Sequence, residues 1–257
     1  MRSWFQFGTT KFDINDGLVV EKCPAMNRPA RKMDVYSVPG RNGDIVVMQD
    51  AWENVEQTYE VWGGDENINS ATAFGYKCAE LFKYSGYQEL TDSYDTTHYR
   101  RAYFAGPFDV DNEYTRRGRA RLTFNCDPRR FLNSGGATQV LTNNSLVTNP
   151  TNFRTRPILT IHGSGSGWFN IQHHTTLAPT QGFSIAHITD GMVIDCENYD
   201  CYYDDPLNGR INLNSELSLT TTETLDWPFF DPGSNLIIMY TGGGMTNVDM
   251  VPNWWEL

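Results

Sequence analysis

Apolar and polar residues alternate with a period of two along most of this chain, and one segment breaks that rhythm. Phe12 and Ile14 alternate with polar neighbours, Asp16-Gly17 carries a two-residue turn signature, and Leu18–Val20 resumes an extended pattern, so a hairpin is expected at the front. A second hairpin is expected around Val38–Gly43, with Asn42-Gly43 suited to positive φ and Asp44–Met48 as the return strand. The break in rhythm is a helix over about 70–85. Phe74, Cys78, Leu81 and Phe82 fall at i, i+4, i+7 and i+8, Asn69 or Ser70 can cap the start, and Gly86 lies just past the end. Its stripe is expected to pack on a sheet.

Tyr99–Phe104 and Arg117–Cys126 read as paired strands, joined through Gly106-Pro107 and the acidic stretch Asp109–Glu113. In the second of them Ala120, Leu122, Phe124 and Cys126 point one way and Arg117, Arg119 and Arg121 the other. Asn133–Gly136, Asn143–Ser145 and Asn149-Pro150 then mark a boundary, so domains are expected at 1–134 and 135–257. Beyond it come short strands at Ile158–His162, Gly167–Ile171, Phe183–Ile188, Met192–Cys196, Leu236–Tyr240 and Met245–Val251, a spacing that reads as a β-sandwich. The fold class is mainly β.

Charge sharpens the division. Residues 1–135 hold 17 Lys+Arg against 19 Asp+Glu, while residues 136–257 hold 3 against 12. Affinity for a phosphate backbone comes from clustered cations, so tightly held nucleic acid is not expected. No run approaches the roughly 18 apolar residues of a membrane helix, and the polar start does not read as a signal peptide. The five cysteines show no Cys-x-x-Cys spacing and are expected as free thiols of a protein made in a reducing cytoplasm, without a Cys196–Cys201 bridge.

Catalytic patterns are weak. His162, His173, His174 and His187 cluster in the second half but lack the spacing of a metal site, and no metal or other cofactor is expected. The acidic run Asp195–Asp205 could suggest glycosidase acids or a calcium loop, but a local run does not establish the separation across a sugar that the first needs and it lacks the central Gly of the second, so it reads as a solvated loop. His162–Gly167 is Gly-rich but has no following Lys or helix, and no Gly-x-Ser-x-Gly elbow occurs, so the chain is not expected to be an enzyme. The arginine face, with Arg100, Arg101, Arg129 and Arg130 nearby, can be read as a contact with acidic groups of a neighbouring subunit, as the lining of a channel, or as a solvated face neutralised by Asp109, Asp111 and Glu113.

An ordered series of segments resembles the distal tail (Dit) proteins of siphoviruses, the long-tailed bacteriophages. It runs through Asp34–Asp44, Tyr59–Val61, the lone helix, Tyr87–Asp95, Tyr99–Phe104, Arg119–Phe124 and Asp127–Leu132. It continues through Asn149–Thr151, Pro157-Ile158, Gly163, Ile194–Cys196, Pro232–Asn235 and Trp254-Trp255, and so spans nearly the whole chain. The resemblance implies an N-terminal tail-tube-like β-sandwich or split barrel with one packed helix, six copies of which close into a ring, and a C-terminal galectin-like β-sandwich. It implies a structural role at the virion tail tip, or baseplate, with assembly in the host cytoplasm. Implied partners are sister copies, the major tail tube protein, the tape measure protein, the tail-tip hub protein and a receptor-binding or baseplate upper protein, with DNA only in transit.

Ring closure is expected to use unsatisfied sheet margins of the front domain, with Arg117, Arg119, Arg121, Arg100 and Arg101 at a subunit or domain contact. The alternative function is a lectin-like module. Trp168, His162, His173 and Asn170 supply the residue types of a galectin-type sugar site, in aid of adsorption to the host surface.

Overall fold

The computed structural model describes residues 3–63, 70–113, 117–173, 181–219 and 227–257. Among these the protein is mainly β, with one α-helix. It divides into two compact units, Met1–Arg130 with Leu257, and Phe131–Glu256.

The first unit contains β1 (Phe5–Phe7), β2 (Thr10–Phe12), β3 (Leu18–Val20), β4 (Arg31–Tyr36), β5 (Ile45–Trp52), β6 (Val55–Gly63), α1 (Ala71–Ala79), β7 (Gln88–Asp92), β8 (His98–Tyr103), β9 (Val110–Glu113) and most of β10 (Arg117–Leu132). Its main sheet has the order β2-β1-β7-β8-β10-β6-β3. The two ends of that path, β2 and β3, are consecutive in the chain and joined only by Asp13–Gly17, so the sheet curls into a nearly closed barrel. The Asp13 carboxylate accepts from the Asn15 and Asp16 amides, and Gly17 takes φ 74°, turning the chain without pairing its two flanks. The turn falls where the sequence predicts it, but the partners differ. β2 pairs with β1 and β3 with β6, because Phe5, Phe7 and Phe12 have to face one interior. β2 and β3 come side by side without pairing, so the two margins of the sheet remain short three-residue edges rather than a sealed seam.

The aromatic interior explains the barrel. Phe5 stacks on Phe12 and Tyr59, with ring centroids 4.6 and 4.3 Å apart, and Phe124 meets Phe5 edge-on. β10 alternates as its sequence demands, with Ala120, Leu122, Phe124 and Cys126 buried. Ser70 caps α1 by accepting from the Ala73 amide at 3.1 Å, and Asn69 lies outside the described residues. The helix buries Phe74 and Cys78 and continues as a 3-10 turn over Glu80–Lys83, which buries Leu81. Residues of a 3-10 turn advance by more than those of an α-helix, so Phe82 rotates off the buried stripe and lies half-exposed against Phe108.

The second unit contains β11 (Gln139–Leu141), β12 (Leu146–Asn149), β13 (Ile158–Gly163), β14 (Gly165–His173), β15 (Gln181–Ile188), β16 (Met192–Asp195), β17 (Asp200–Asp205), β18 (Gly209–Asn212), β19 (Leu217–Leu219), β20 (Gly233–Tyr240) and β21 (Met245–Val251). They form two antiparallel sheets, β11-β21-β13-β16-β17-β18 and β12-β20-β14-β15-β19. Leu159, Ile161, Ile194, Val248 and Met250 from the first share one core with Phe169, Ile171, Phe183, Ile185 and Ile237 from the second, so this unit is a β-sandwich. The run Asp195–Asp205 is not wholly a loop. Asp195 caps a tight turn by accepting from the Glu197 and Asn198 amides, and Asp200–Asp205 then pairs back on β16, burying Cys201.

Candidate functional site

Among the described residues the β4–β5 hairpin pairs with no other strand and forms a two-stranded sheet by itself. Val38–Gly43 folds as its connection, with Gly40 and Gly43 both at φ 82°. The register sets Met33 opposite Met48 and Val35 opposite Val46, so these four side chains share one face. Each is half in solvent, with exposures of 47, 54, 53 and 47% in that order. The other face mixes exposed Tyr36, Ile45 and Val47 with Asp34, which accepts from the Gln49 side chain at 3.0 Å. A strand pair standing alone is marginal in water, and one with an exposed apolar face needs cover from outside. The sequence signal for this was the unbroken run Ile45–Met48. Sequence reasoning took it for an ordinary return strand, although a strand apolar on both faces is one that expects burial on both.

The five arginines do not share a surface. Arg119 pairs with Glu21 and, at 3.5 Å, with Glu60, while the Arg117 guanidinium lies over the Trp62 ring at 5.7 Å. Arg121 sits across from Glu60 on β6. Hydrogen bonding from Lys22, then the charges of Lys22, Arg119 and Arg121, hold the Glu60 carboxyl below its usual range against the opposing effect of desolvation. Glu21 and Glu60 balance the face, the register also sets Asp111 of the acidic stretch across from Arg119, and the Glu113 side chain lies outside the described ones. Arg117, Gly118 and Arg119 with Glu21 and Trp62 line an open depression of about 200 Å³. Arg101 is on the outer side of β8, across from Glu89, whereas Arg100 points inward and is buried. The inward turn of Arg100 follows from strand parity, because Ala102 on the same face is core.

The sugar-type residues are also separated. Trp168 and Asn170 lie on the outer face of β14, where Trp168 stacks on Tyr240 with centroids 6.3 Å apart. His162 lies on the outer face of β13, in the other sheet, with Nε2 3.2 Å from Asp249 and Nδ1 3.4 Å from Asp190. The inner faces of the two strands share the core, so these outer faces look in opposite directions. His173 has the opposite parity to Trp168 and Asn170 and bonds the Pro232 carbonyl oxygen at 2.9 Å. His174 lies outside the described residues. Among the described residues no group of three His, Cys, Asp or Glu is arranged to hold a metal ion, and no helix is long and apolar enough to cross a membrane.

No protein-family profile matches the chain, and no curated protein matches it in sequence. Solved structures do match in fold. The crystal structure of the SPP1 Dit protein, described as a paradigm of the hub adsorption apparatus in phages infecting Gram-positive bacteria, superposes with a TM-score of 0.67 at 13% identity, covering 100% of both chains. A chain of the phage P2 baseplate, in its activated conformation with Ca, gives a TM-score of 0.52 at 10% identity over 97% of each chain. Along its whole length, then, this protein has the fold of the SPP1 Dit protein.

Proposed function

We propose that this chain is a structural component of a phage tail tip, six copies of which close into a ring joining the tail tube to the hub below. The observation that carries the reading is the β4–β5 hairpin, apolar on one face, mixed on the other and uncovered by its own unit, in a chain whose fold follows that of a phage hub protein end to end. A repeated head-to-tail contact needs an element that projects from one copy and is buried by the next, and this hairpin has that character. The margins of the barrel offer less, since β2 and β3 are edges of three residues lying beside each other in one chain.

On this reading the tube protein, the tape measure protein, the hub protein and a receptor-binding or baseplate upper protein are the neighbours, and DNA passes through the ring. The division near Arg130 supports an N-terminal ring domain and a C-terminal domain, galectin-like in its two antiparallel sheets, that stands outside the ring. Arg117, Arg119 and Arg121 belong at a contact between subunits. A cationic lumen would retard DNA, and Arg119 is already held by Glu21 and Glu60. The role is one of assembly rather than catalysis. The acidic run that could have suggested active-site carboxylates caps turns and pairs strands, with Asp195 and Asp205 each accepting two backbone amides.

Multi-angle light scattering with negative-stain imaging of the purified protein over a concentration series tests the proposal. A six-fold annulus is the expected result, and a monomer that persists at the highest concentration counts against it.

A further inference from the structure

The first unit buries a cation that makes no direct ion pair among the described residues. Arg100 on β8 is only 9% exposed; its Nη2 donates to the Asn27 carbonyl oxygen at 3.3 Å, and its Nη1 is buried without a partner. An unpaired buried charge is among the costliest features a fold can carry. Burial accordingly pulls the Arg100 pKa below the ordinary guanidinium value, and the nearby Arg130 pulls in the same direction.

Arg100 lines a cavity of about 120 Å³ whose other walls include Pro24, Ala25, Met26, Tyr59 and Leu90. A water molecule occupies about 30 Å³ of liquid, so the space matches a few waters or one short side chain. The carboxylates at its rim are already engaged. Asp92 accepts from the Tyr59 hydroxyl at 2.7 Å and from the Tyr94 and Asp95 amides, and Asp95 accepts from Arg130 and lies 3.0 Å from His98 Nδ1. These acids would repel a dianion. Apolar walls and one unpaired cation instead suit a single negative charge on a short aliphatic stem.

We propose that this cavity is a binding site for a carboxylate side chain, Glu or Asp, presented by a neighbouring protein chain. A carboxylate seated in the cavity would face the Arg100 guanidinium and offset its buried charge in a charge-assisted contact. The segment Cys23–Met26 that walls the cavity leads directly from β3 into the exposed hairpin, so an occupied cavity sits at the root of the element assigned to ring contact. The choice of a protein as the source of the carboxylate rests on the assembly reading; the cavity and its charge do not.

The test uses the full chain at a concentration where it is monomeric, labelled with ¹³C at the methionine methyls. Met26 lines the cavity, while Met192 and Met245 lie in the second core and serve as internal controls. Titration with N-acetylglutamate N-methylamide at constant ionic strength should move the Met26 methyl saturably and leave the controls in place. Arg100→Gln should weaken binding at least tenfold. Ala25→Trp, a change at an exposed wall residue that keeps the guanidinium, should abolish it with the fold intact. The proposal is overturned by no saturable shift, by equal shifts in both variants, or by equal binding of inorganic phosphate. Binding of butyrate but not of the capped glutamate would also overturn it, by moving the ligand from a protein to a small molecule. Because the readout is taken on monomer, a failure of the ring reading leaves it unaffected.

Discussion

Gly118 has no side chain at the point where Phe74 needs the space: a Cβ there would lie 2.5 Å from Phe74 Cδ1 and 2.8 Å from Cγ. Phe74 is fully buried in the helix stripe, so its ring has no solvent to move into. Gly118→Ala should therefore lift α1 off the barrel or force Phe74 out of its rotamer, costing about 1–3 kcal/mol. Gly136→Ala meets nothing within 4 Å and is the control. Paired thermal melts check this; equal melting temperatures would mean that the helix seats elsewhere.

The helix shows how far the sequence reaches. Ser70, Phe74 and Cys78 are local signals, and the structure uses each as the spacing implies. The alternation of Ala120, Leu122, Phe124 and Cys126 is equally local and equally legible. Pairing is different. Asp16-Gly17 marks a turn but says nothing about partners, and the aromatic interior around Phe5 and Tyr59 decides that β3 goes to β6. The short strands at Gln139–Leu141, Gly209–Asn212 and Leu217–Leu219 escape the pattern because an edge strand of three or four residues has too little buried face to alternate visibly. The candidate sites were least legible. Parity places Arg100 inside, but only the folded chain shows that its Nη1 finds no hydrogen-bond partner there.

Thiol chemistry should report the interior directly. Burial pushes the Cys78, Cys126 and Cys201 thiols up to about 12, and Cys196 is raised further. The thiolate is the reactive form, so these four are inert at neutral pH. Cys23 is exposed on the segment beside the cavity. Reaction with an aromatic disulfide reagent should release one equivalent rapidly from native protein and, after unfolding, a total matching all five free cysteines. Fast release of more than one would show that a buried thiol is open to solvent.

The hairpin should be separable from the stability of a single chain. Val35 and Val46 face each other across the hairpin and touch solvent in the monomer, so the double change Val35→Lys with Val46→Asp removes no core packing and sets opposite charges across the pair. Surface substitutions of this kind usually fall within about 0.5 kcal/mol. The expected result is an unchanged melting temperature with loss of every species larger than a monomer in light scattering. A variant that still assembles would move the ring contact to another surface.

Acid should weaken the first unit through Asp95. Burial by itself would raise its pKa, but hydrogen bonds from His98, Thr97 and Arg130 outweigh burial and hold the carboxyl well below the usual range. A carboxyl whose folded pKa is depressed contributes stability at every pH above its unfolded value, about 4, and that contribution drains away as pH falls toward the folded value. Asp95→Asn discards the contribution at neutral pH as well, since a neutral amide cannot pair with Arg130. The variant should melt lower than the parent at pH 7, and its melting temperature should fall less steeply below about pH 4, so that the two curves converge in acid. Parallel curves over that range would mean that Asp95 keeps a normal pKa and that the Asp95–His98–Arg130 cluster does not hold the rim of the cavity.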